Sequence, residues 1–356
     1  MFVIVPRCRS FLMFLLLVSS ASGLATAAAE PPKIRKPQPT PTIERQALPS
    51  AAINDKLEIG GEDIKARKAS TRMTVEVRVN GRGPYHFVVD SGADSSVVGL
   101  RIARDLQLPL GSPALLHGMT GSAFVDRVRI DELSLGQAVI RDAELPALSE
   151  VDLGGQGMIG IDALVQQRLM MDFEKRVIRA EDARVPIKTE AGEIVITAVR
   201  RRGQLILTQV TAAGLPVEAV IDTGSEITIG NLALRDKLIR GNQDKFGTVQ
   251  AIGVTGAPMD LQLARIGELQ LGSVTLRDVP IAFADVPPFT LFGLQRKPAL
   301  LLGTDLLETF RRVSLDFRSR KVRFQLRRCG TTGVFISTST FWSTRLMSNN
   351  PEVCRR

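Results

Sequence analysis

With 356 residues, the chain is longer than one typical domain, and its 44% of apolar residues is enough to bury a sizeable core. Two domains with extensions are therefore expected. The chain has two histidines, His86 and His117, and neither an H-E-x-x-H nor a C-x-x-C motif, which disfavours a zinc site. Neither histidine lies near a G-x-S-x-G turn, so a serine triad is poorly supported. We expect no metal and no other cofactor.

The net charge of +9 does not by itself indicate a nucleic-acid partner. The chain has one Trp and one Tyr to stack on bases, and its basic residues are scattered or lie near the C-terminus, as Arg327, Arg328, Arg355 and Arg356 do. A solvated basic surface is the favoured interpretation, and no nucleic acid is expected. Acidic partners or membrane headgroups remain alternatives.

Residues 1–29 have the pattern of a signal peptide. Arg7 and Arg9 precede the apolar run Phe11–Val18, and small residues near Ala29 provide a cleavage site. We expect cleavage and export, to the periplasm or the medium. The apolar run is shorter than the roughly 20 residues that cross a bilayer, so no stable membrane span is expected afterwards. An uncleaved anchor is the alternative.

Cleavage would remove Cys8 and leave two cysteines, Cys329 and Cys354, in an oxidising compartment. An even pair there is a disulfide candidate that would close the C-terminal tail, residues 329–356, as a loop. Two free thiols are the alternative. The tail has no other readable motif.

Residues 30–69 are rich in Pro, Thr and charge, a composition that favours extended, solvated chain. This segment is predicted to be a linker or a pro-segment. In a pro-segment, the basic residues Lys33, Arg35 and Lys36 would neutralise an acidic cleft.

Ordered structure is predicted to begin near Ser70. Apolar and polar residues alternate over Met73–Val79, which is the period of a half-buried strand. Asn80-Gly81 then predicts a turn into a second strand that ends at Asp90.

An internal repeat is the most informative feature of the sequence. FVVDSGADSSVVGL at 87–100 aligns without a gap to AVIDTGSEITIGNL at 219–232, an offset of 132. Three later pairs follow in the same order: HGMTG (117–121) with IGVTG (252–256), IDELSLG (130–136) with IGELQLG (266–272), and MIGIDAL (158–164) with LLGTDLL (301–307). The repeat predicts two β-rich lobes, residues 70–183 and 190–328, with short helices at 100–106 and 232–238.

Each copy carries an Asp, Asp90 or Asp222, between two apolar residues and a small hydroxyl residue followed by Gly. A buried strand would deliver the carboxylate into a water-poor centre. The hydroxyl of Ser91 or Thr223 can bond the opposite lobe's backbone, and the glycine, Gly92 or Gly224, permits a tight turn.

D-S/T-G after apolar residues, a glycine-bounded flap and an apolar-apolar-Gly segment together resemble the aspartic peptidases of the pepsin and retropepsin kind, here as an exported, bacterial-type chain with two tandem lobes. The resemblance spans most of residues 70–328. It implies an all-β fold of two pseudo-symmetric acid-protease β-barrel lobes with short helices and an interlobe active-site cleft.

The resemblance also implies a role for each matching residue. Asp90 and Asp222 match the catalytic pair, and Ser91, Gly92, Thr223 and Gly224 match the residues that support it. Two further segments match the flaps, Gly118-Met119-Thr120-Gly121 and Gly253-Val254-Thr255-Gly256. Asp94 matches an acid of the retropepsin motif that is structural or binds substrate backbone.

Two departures from the family pattern matter. Neither flap carries the tyrosine of single-chain pepsins, so the cleft is covered by smaller groups. Glu226 stands where Asp94 has its counterpart, so the lobes are not equivalent. Asp162 and Asp305 recur after the apolar-apolar-Gly segments and are predicted to cap short helices. His117, before the first flap, is either a tuning group or a surface residue.

The expected function is that of an aspartic endopeptidase acting on extended protein or peptide segments in the cell envelope. Two lobes in one chain predict a monomer with a single site. A peptide-binding or scaffold module that keeps the fold without turnover is the alternative. A third possibility is that each lobe pairs with its copy in a second chain. Substrate preference and pH optimum are not predicted.

Overall fold

Two β-barrels, one from each copy of the repeat, form most of the structure. The computed structural model describes residues 34–35, 38–39, 72–136, 138–164, 167–175, 177–184, 193–238, 246–327 and 335–338. All of them belong to one compact unit, Pro32–Arg356.

The strands of the N-terminal half are β1 Gln38–Pro39, β2 Thr74–Val79, β3 Arg82–Val89, β4 Val97–Gly99, β5 Ala114–Gly118, β6 Gly121–Val125, β7 Arg127–Leu135, β8 Ala138–Leu148, β9 Gly157–Ile159, β10 Gln167–Asp172 and β11 Val177–Asp182. Its helices are α1 Leu100–Asp105, α2 Glu150–Leu153 and α3 Ile161–Leu164.

The strands of the C-terminal half are β12 Glu193–Arg201, β13 Gln204–Ala212, β14 Leu215–Ile221, β15 Ile229–Gly230, β16 Gly247–Ile252, β17 Pro258–Leu271, β18 Val274–Phe283, β19 Ala299–Leu302, β20 Phe310–Asp316, β21 Lys321–Leu326 and β22 Phe335–Thr338. Its helices are α4 Leu232–Leu238, α5 Pro287–Leu291 and α6 Thr304–Leu307. Both predicted helices after the Asp motifs are therefore present.

The two barrels have the same topology. The first closes in the order β2-β3-β9-β4-β8-β7. The second closes in the order β13-β14-β19-β15-β18-β17, with β17 returning to β13. The pairings also agree in direction: β3–β9 and β14–β19 are parallel, β4–β9 and β15–β19 antiparallel, and β4–β8 and β15–β18 parallel. The prediction of an all-β fold with two pseudo-symmetric lobes is confirmed.

Hydrophobic alternation builds the barrel interiors. In β2, the side chains of Val75, Val77 and Val79 are buried, whereas the intervening Glu76 and Arg78 are exposed. Such alternation places every second residue on the inner face of a strand. The first predicted strand is thus observed, and its apolar face points into the core.

A shared sheet joins the lobes. The strands β11, β10, β20, β21 and β12 are neighbours in that order, so β10 of the first copy pairs with its equivalent, β20, of the second. Their antiparallel register places Met170 opposite Ser314. These two residues are themselves equivalent in the repeat, so the pseudo-twofold axis passes through this pair.

Two ion pairs flank this axis. Arg168 lies 3.3 Å from Asp316, and Arg312 lies 2.7 Å from Asp172. Both aspartates also accept amide hydrogen bonds in the following turns, Asp172 from Lys175 N–H and Asp316 from Ser319 N–H. Burial alone would raise the pKa of Asp172, but the Lys175 amide and the Arg312 guanidinium hold it below its ordinary value. The ion pairs could not be predicted from the sequence.

Two short strands extend the lobes. β1 lies within the Pro-rich segment and pairs with β6, and Arg35 donates three hydrogen bonds to Asp126 at 2.7 to 3.2 Å. This part of the segment is therefore packed on the first lobe rather than solvated. β22, in the C-terminal tail, pairs with the edge of β18. No helix in the described ranges is long and apolar enough to cross a membrane.

Candidate active site

Each candidate catalytic Asp follows the end of a buried strand. Asp90 comes after β3, and its N–H donates to Ile159 O at 2.9 Å. Asp222 comes after β14, and its N–H donates to Leu302 O at 3.1 Å. β3 and β14 pair with the equivalent parallel strands β9 and β19. Asp90 and Asp222 therefore occupy equivalent positions in the two barrels.

The turns after the two aspartates hold the carboxylates in the same way. Oδ1 of Asp90 accepts hydrogen bonds from the amides of Gly92 at 2.7 Å and Ala93 at 3.0 Å. Oδ1 of Asp222 accepts from Gly224 at 3.0 Å and Ser225 at 3.1 Å. Amides directed at one oxygen stabilise the ionised form and leave the other oxygen available for chemistry.

The two carboxyl groups are in contact. A hydrogen bond joins them across the lobes, and it lowers the pKa of Asp90 while raising that of Asp222. Each also packs against the opposite glycine: a Cβ added to Gly92 would lie 2.7 Å from Asp222 Cγ, and one added to Gly224 would overlap the Asp90 carboxylate. Glycine is therefore required at both positions for the carboxylates to meet.

The hydroxyl residues lock the two turns together. Ser91 Oγ donates to Ile221 O at 2.9 Å and accepts from Thr223 N–H at 3.1 Å. Thr223 Oγ1 donates to Val89 O at 2.8 Å and accepts from Ser91 N–H at 2.9 Å. Ser91 and Thr223 are each 1% exposed. Four buried hydrogen bonds therefore hold together the two turns that carry the Asp90–Asp222 pair, called the dyad below.

The environment favours one shared proton. Burial and the negative charge of Asp90 raise the pKa of Asp222 to about 8. Burial also raises the pKa of Asp90, against the opposing effects of the Gly92 and Ala93 amides. Two carboxyl groups in contact cannot both be ionised in a water-poor site, because their negative charges repel. The pair therefore titrates as a coupled unit.

A further layer of hydrogen bonds supports each turn. Asp162 accepts from Ser96 N–H at 2.8 Å and from Ser96 Oγ at 2.7 Å, and Ser96 Oγ in turn accepts from Gly160 N–H. The second lobe repeats the arrangement with Asp305, Thr228 and Gly303.

The prediction that Asp162 and Asp305 cap helices was incomplete. Each bonds the next amide, but each lies inside its short helix and mainly anchors a hydroxyl of the Asp-bearing loop. The recurrence of Ser96 at Thr228, at the repeat offset of 132, was the sequence signal for this network.

Both predicted flaps are hairpin turns, and their tips touch. Gly118-Met119-Thr120-Gly121 connects β5 to β6, and the segment from Gly253 to Gly256, including Thr255, connects β16 to β17. A Cβ at Gly118 would lie 3.3 Å from Val254 Cγ2, and one at Gly253 would overlap Thr120 Oγ1.

Each flap tip also packs against the lobe to which it does not belong. Met119 of the first flap packs against the second lobe's hydrophobic cluster, and Val254 of the second flap packs against a cluster of the first lobe. Ile227, beside the Asp222 turn, packs against the same second-lobe cluster as Met119, and Ala93, beside Asp90, packs against the same first-lobe cluster as Val254. Each flap tip therefore shares a hydrophobic cluster with the Asp-bearing loop of the opposite lobe. His117 is exposed on the first flap, where its Nδ1 lies 2.6 Å from Ser122 Oγ.

Two bridges between the lobes flank the dyad. Gln204 Nε2 donates to Asp94 Oδ1 at 2.9 Å, and burial raises the pKa of Asp94. On the other side, Arg72 Nε donates to Glu226 Oε1 at 2.7 Å. Asp94 and Glu226 were predicted from the sequence, but their partners were not, although Arg72 and Gln204 are also separated by the repeat offset.

Some predicted groups are not among the residues that the structure describes. Cys329 and Cys354 fall outside the described residues, as do the signal peptide and most of the Pro-rich segment. Within the described ranges, no group of three or more His, Cys, Asp or Glu side chains has an arrangement suited to a metal ion.

The fold and the site together define a class: a two-lobed acid-protease fold in which each lobe contributes one Asp to a hydrogen-bonded pair. The chain belongs to the aspartyl protease family, whose model matches residues 75–163 and 208–306, more than half of the chain. Among solved structures, a retropepsin-like aspartic protease from Rickettsia conorii is similar at 15% identity, with a TM-score of 0.28, over 43% of this chain and 99% of that one. No curated protein matched.

Proposed function

We propose that this chain is an aspartic endopeptidase that hydrolyses peptide bonds with a water activated between Asp90 and Asp222. The carboxyl pair itself carries this proposal, because one proton shared by two buried acids provides a base and an acid at neutral or mildly acidic pH. Membership of the aspartyl protease family supports the reaction class.

In the proposed reaction, the ionised carboxylate accepts a proton from the water as the water oxygen attacks the scissile carbonyl carbon. The protonated carboxyl group donates its proton to the carbonyl oxygen, so charge does not build up on the tetrahedral intermediate. The hydroxyl lock and the amide-bonded turns hold both acids in place throughout, which reduces the cost of reorganising them.

Proposed substrates are extended segments of proteins or peptides. A cleft between two β lobes, covered by two hairpin flaps, suits a strand-like ligand bound through main-chain hydrogen bonds. We further propose that the protein acts as a monomer in the cell envelope after export. Fractionation with N-terminal sequencing of the mature chain tests the location.

Cleavage of a peptide library in ¹⁸O-labelled water tests the reaction. The parent protein is expected to incorporate one ¹⁸O into each new carboxylate, and Asp90→Asn and Asp222→Asn are each expected to lose activity by about 10⁴-fold, since each removes the acid or the base. Circular dichroism checks that both variants fold. Peptide binding without cleavage by the parent would instead indicate a non-catalytic binding module.

A further inference from the structure

The two flaps are equivalent in the repeat but differ in how they are held. The first flap is the hairpin of β5 and β6, and β6 pairs on its other edge with β1, which gives a sheet in the order β1-β6-β5. The second flap is the hairpin of β16 and the first part of β17, and within the described chain β16 pairs only with β17. β17 pairs with β18 only from Gln262 onward. Because a third strand stabilises a hairpin, the first flap is the better supported of the two.

The burial of the two flaps differs in the same direction. Four residues of the first flap are buried: Gly118, Thr120, Ala123 and Val125. In the second flap, none of residues 247–260 is buried. Segments with few buried contacts are the ones that open most readily in a folded protein. Burial therefore also indicates that the second flap is the more mobile one.

A short part of the Pro-rich segment supplies the third strand of the first flap. This part, residues 34–35 and 38–39, is called the strap below. Ile34 packs against the main hydrophobic cluster. Gln38 lies opposite Phe124 of β6, and Pro39 lies opposite Ala123. The strap therefore runs from the core along the flap, in the direction of the flap tip.

Arg35 joins the strap to Asp126, the residue that follows β6. Its backbone N–H and its guanidinium donate three hydrogen bonds to the Asp126 carboxylate at 2.7 to 3.2 Å. The Asp126 side chain is 7% exposed, and its carbonyl oxygen accepts from Ala147 N–H of β8. Hydrogen bonds from the Arg35 guanidinium hold the pKa of Asp126 below its ordinary value. Because a buried carboxylate is costly without a partner, this position on the first lobe requires the cation of the strap.

We propose that the strap is a permanent brace of the first flap, so that the second flap is the one that opens. A discarded pro-segment would leave Asp126 buried without its cation and the edge of β6 unpaired, so the strap is retained in the mature chain. The kinetic consequence rests on the function proposed above. A loosened flap weakens binding of the substrate and of the transition state alike, which raises KM and leaves kcat nearly unchanged.

Hydrogen exchange of the full-length protein, followed by mass spectrometry, tests the brace without requiring turnover. In the parent, residues 247–260 are expected to exchange about tenfold faster than residues 114–125, after correction for intrinsic rates. The double change Arg35→Gln/Asp126→Asn removes the ion pair without leaving a lone carboxylate. It is expected to speed exchange at 114–125 about tenfold and to leave 247–260 unchanged. Ile34→Ser, which removes the apolar anchor, is expected to act in the same direction.

Arg141→Gln is the matched control. It removes a guanidinium that is 67% exposed, against 64% for Arg35, from an ion pair with Glu132 of β7, and it is expected to leave both flaps unchanged. The strand β5 is the most informative reporter, because it belongs to the first flap but does not pair with β1. Faster exchange confined to β6 would show that the strap only covers an edge and would overturn the proposal. Equal exchange of the two flaps in the parent would also overturn it.

Peptide cleavage adds a kinetic test of the brace. The double change at Arg35 and Asp126 is expected to raise KM by about threefold to tenfold, with kcat within about twofold of the parent. A loss of kcat with unchanged KM would contradict a role in holding the flap. An inactive parent that shows the expected exchange pattern would refute the proposed hydrolysis and would still support the brace.

Discussion

The two lobes agree closely at their centre and diverge around it. Each donates two backbone amides to its Asp, contributes one hydroxyl to the lock, and anchors its turn through a second Asp. Outside this shell, one lobe's bridge is an ion pair and the other's an amide, and β1 pairs with the first flap at β6. The comparison indicates that contact between the two carboxyl groups requires two-fold geometry in the loops that carry them, whereas the residues around those loops can differ.

Replacing either Gly92 or Gly224 by Ala tests whether the two carboxylates can meet only when both turns carry a glycine. Gly224→Ala would force a Cβ into the Asp90 carboxylate, and Gly92→Ala would place one 2.7 Å from Asp222 Cγ. Each is expected to reduce kcat by about 10²-fold or more by separating the acids, measured on peptide substrates. Gly267→Ala is the control, because a Cβ there meets no atom within 4 Å. Similar activity in all three variants would contradict the proposed geometry.

The two interlobe ion pairs allow a graded comparison. Arg168 is 5% exposed, as is its partner Asp316, whereas Arg312 is 29% exposed against a buried Asp172. Arg168→Ala leaves a carboxylate buried without its guanidinium and is expected to cost about 3–5 kcal/mol of unfolding free energy. Arg312→Ala is expected to cost less because water can reach that site. Urea denaturation measures both, and a larger loss at Arg312 would contradict the ranking.

The pH dependence of stability provides a smaller effect, which arises at Asp222. Because the pKa of Asp222 is raised from 3.8 to about 8, the folded state binds more protons than the unfolded state between these values. The contribution of the protonated Asp222 to the free energy of unfolding is fully present below pH 4 and is lost as pH rises towards 8. Asp222→Asn is expected to flatten this decline and to be more stable than the parent at pH 8, on the order of a few kcal/mol. Parallel stability curves for the two proteins would argue against a raised pKa.

The centre of the site could be predicted from sequence because the repeat is gapless there. The motifs around Asp90 and Asp222 align residue for residue, and both flap positions were implied by the resemblance of the Gly-x-Thr-Gly segments to the family's flaps. The repeat also predicted two similar lobes, and the barrel topology confirmed them. The exact limits of the lobes, the signal peptide and the pairing of Cys329 with Cys354 stay predictions.

Contacts set by tertiary register could not be predicted in the same way. The ion pair between Arg168 and Asp316 depends on how β10 meets β20, 148 residues apart. Met119 and Val254 each pack against the opposite lobe because of the direction in which their flaps extend. Glycine spacing does not specify that direction. The strand β1 arises in a Pro-rich stretch because its partner, β6, offers an open edge, whereas local composition alone favours solvated chain.

Mixing the two dyad variants tests the central claim, that one chain supplies both acids of a single site. Full-length Asp90→Asn and Asp222→Asn are measured separately and after co-refolding, with sedimentation in parallel. We predict that each variant is inactive and that the mixture stays inactive, because every site contains one intact and one altered acid. Activity regained on mixing, or retained by either variant alone, would show that the acids pair between chains and would contradict the account.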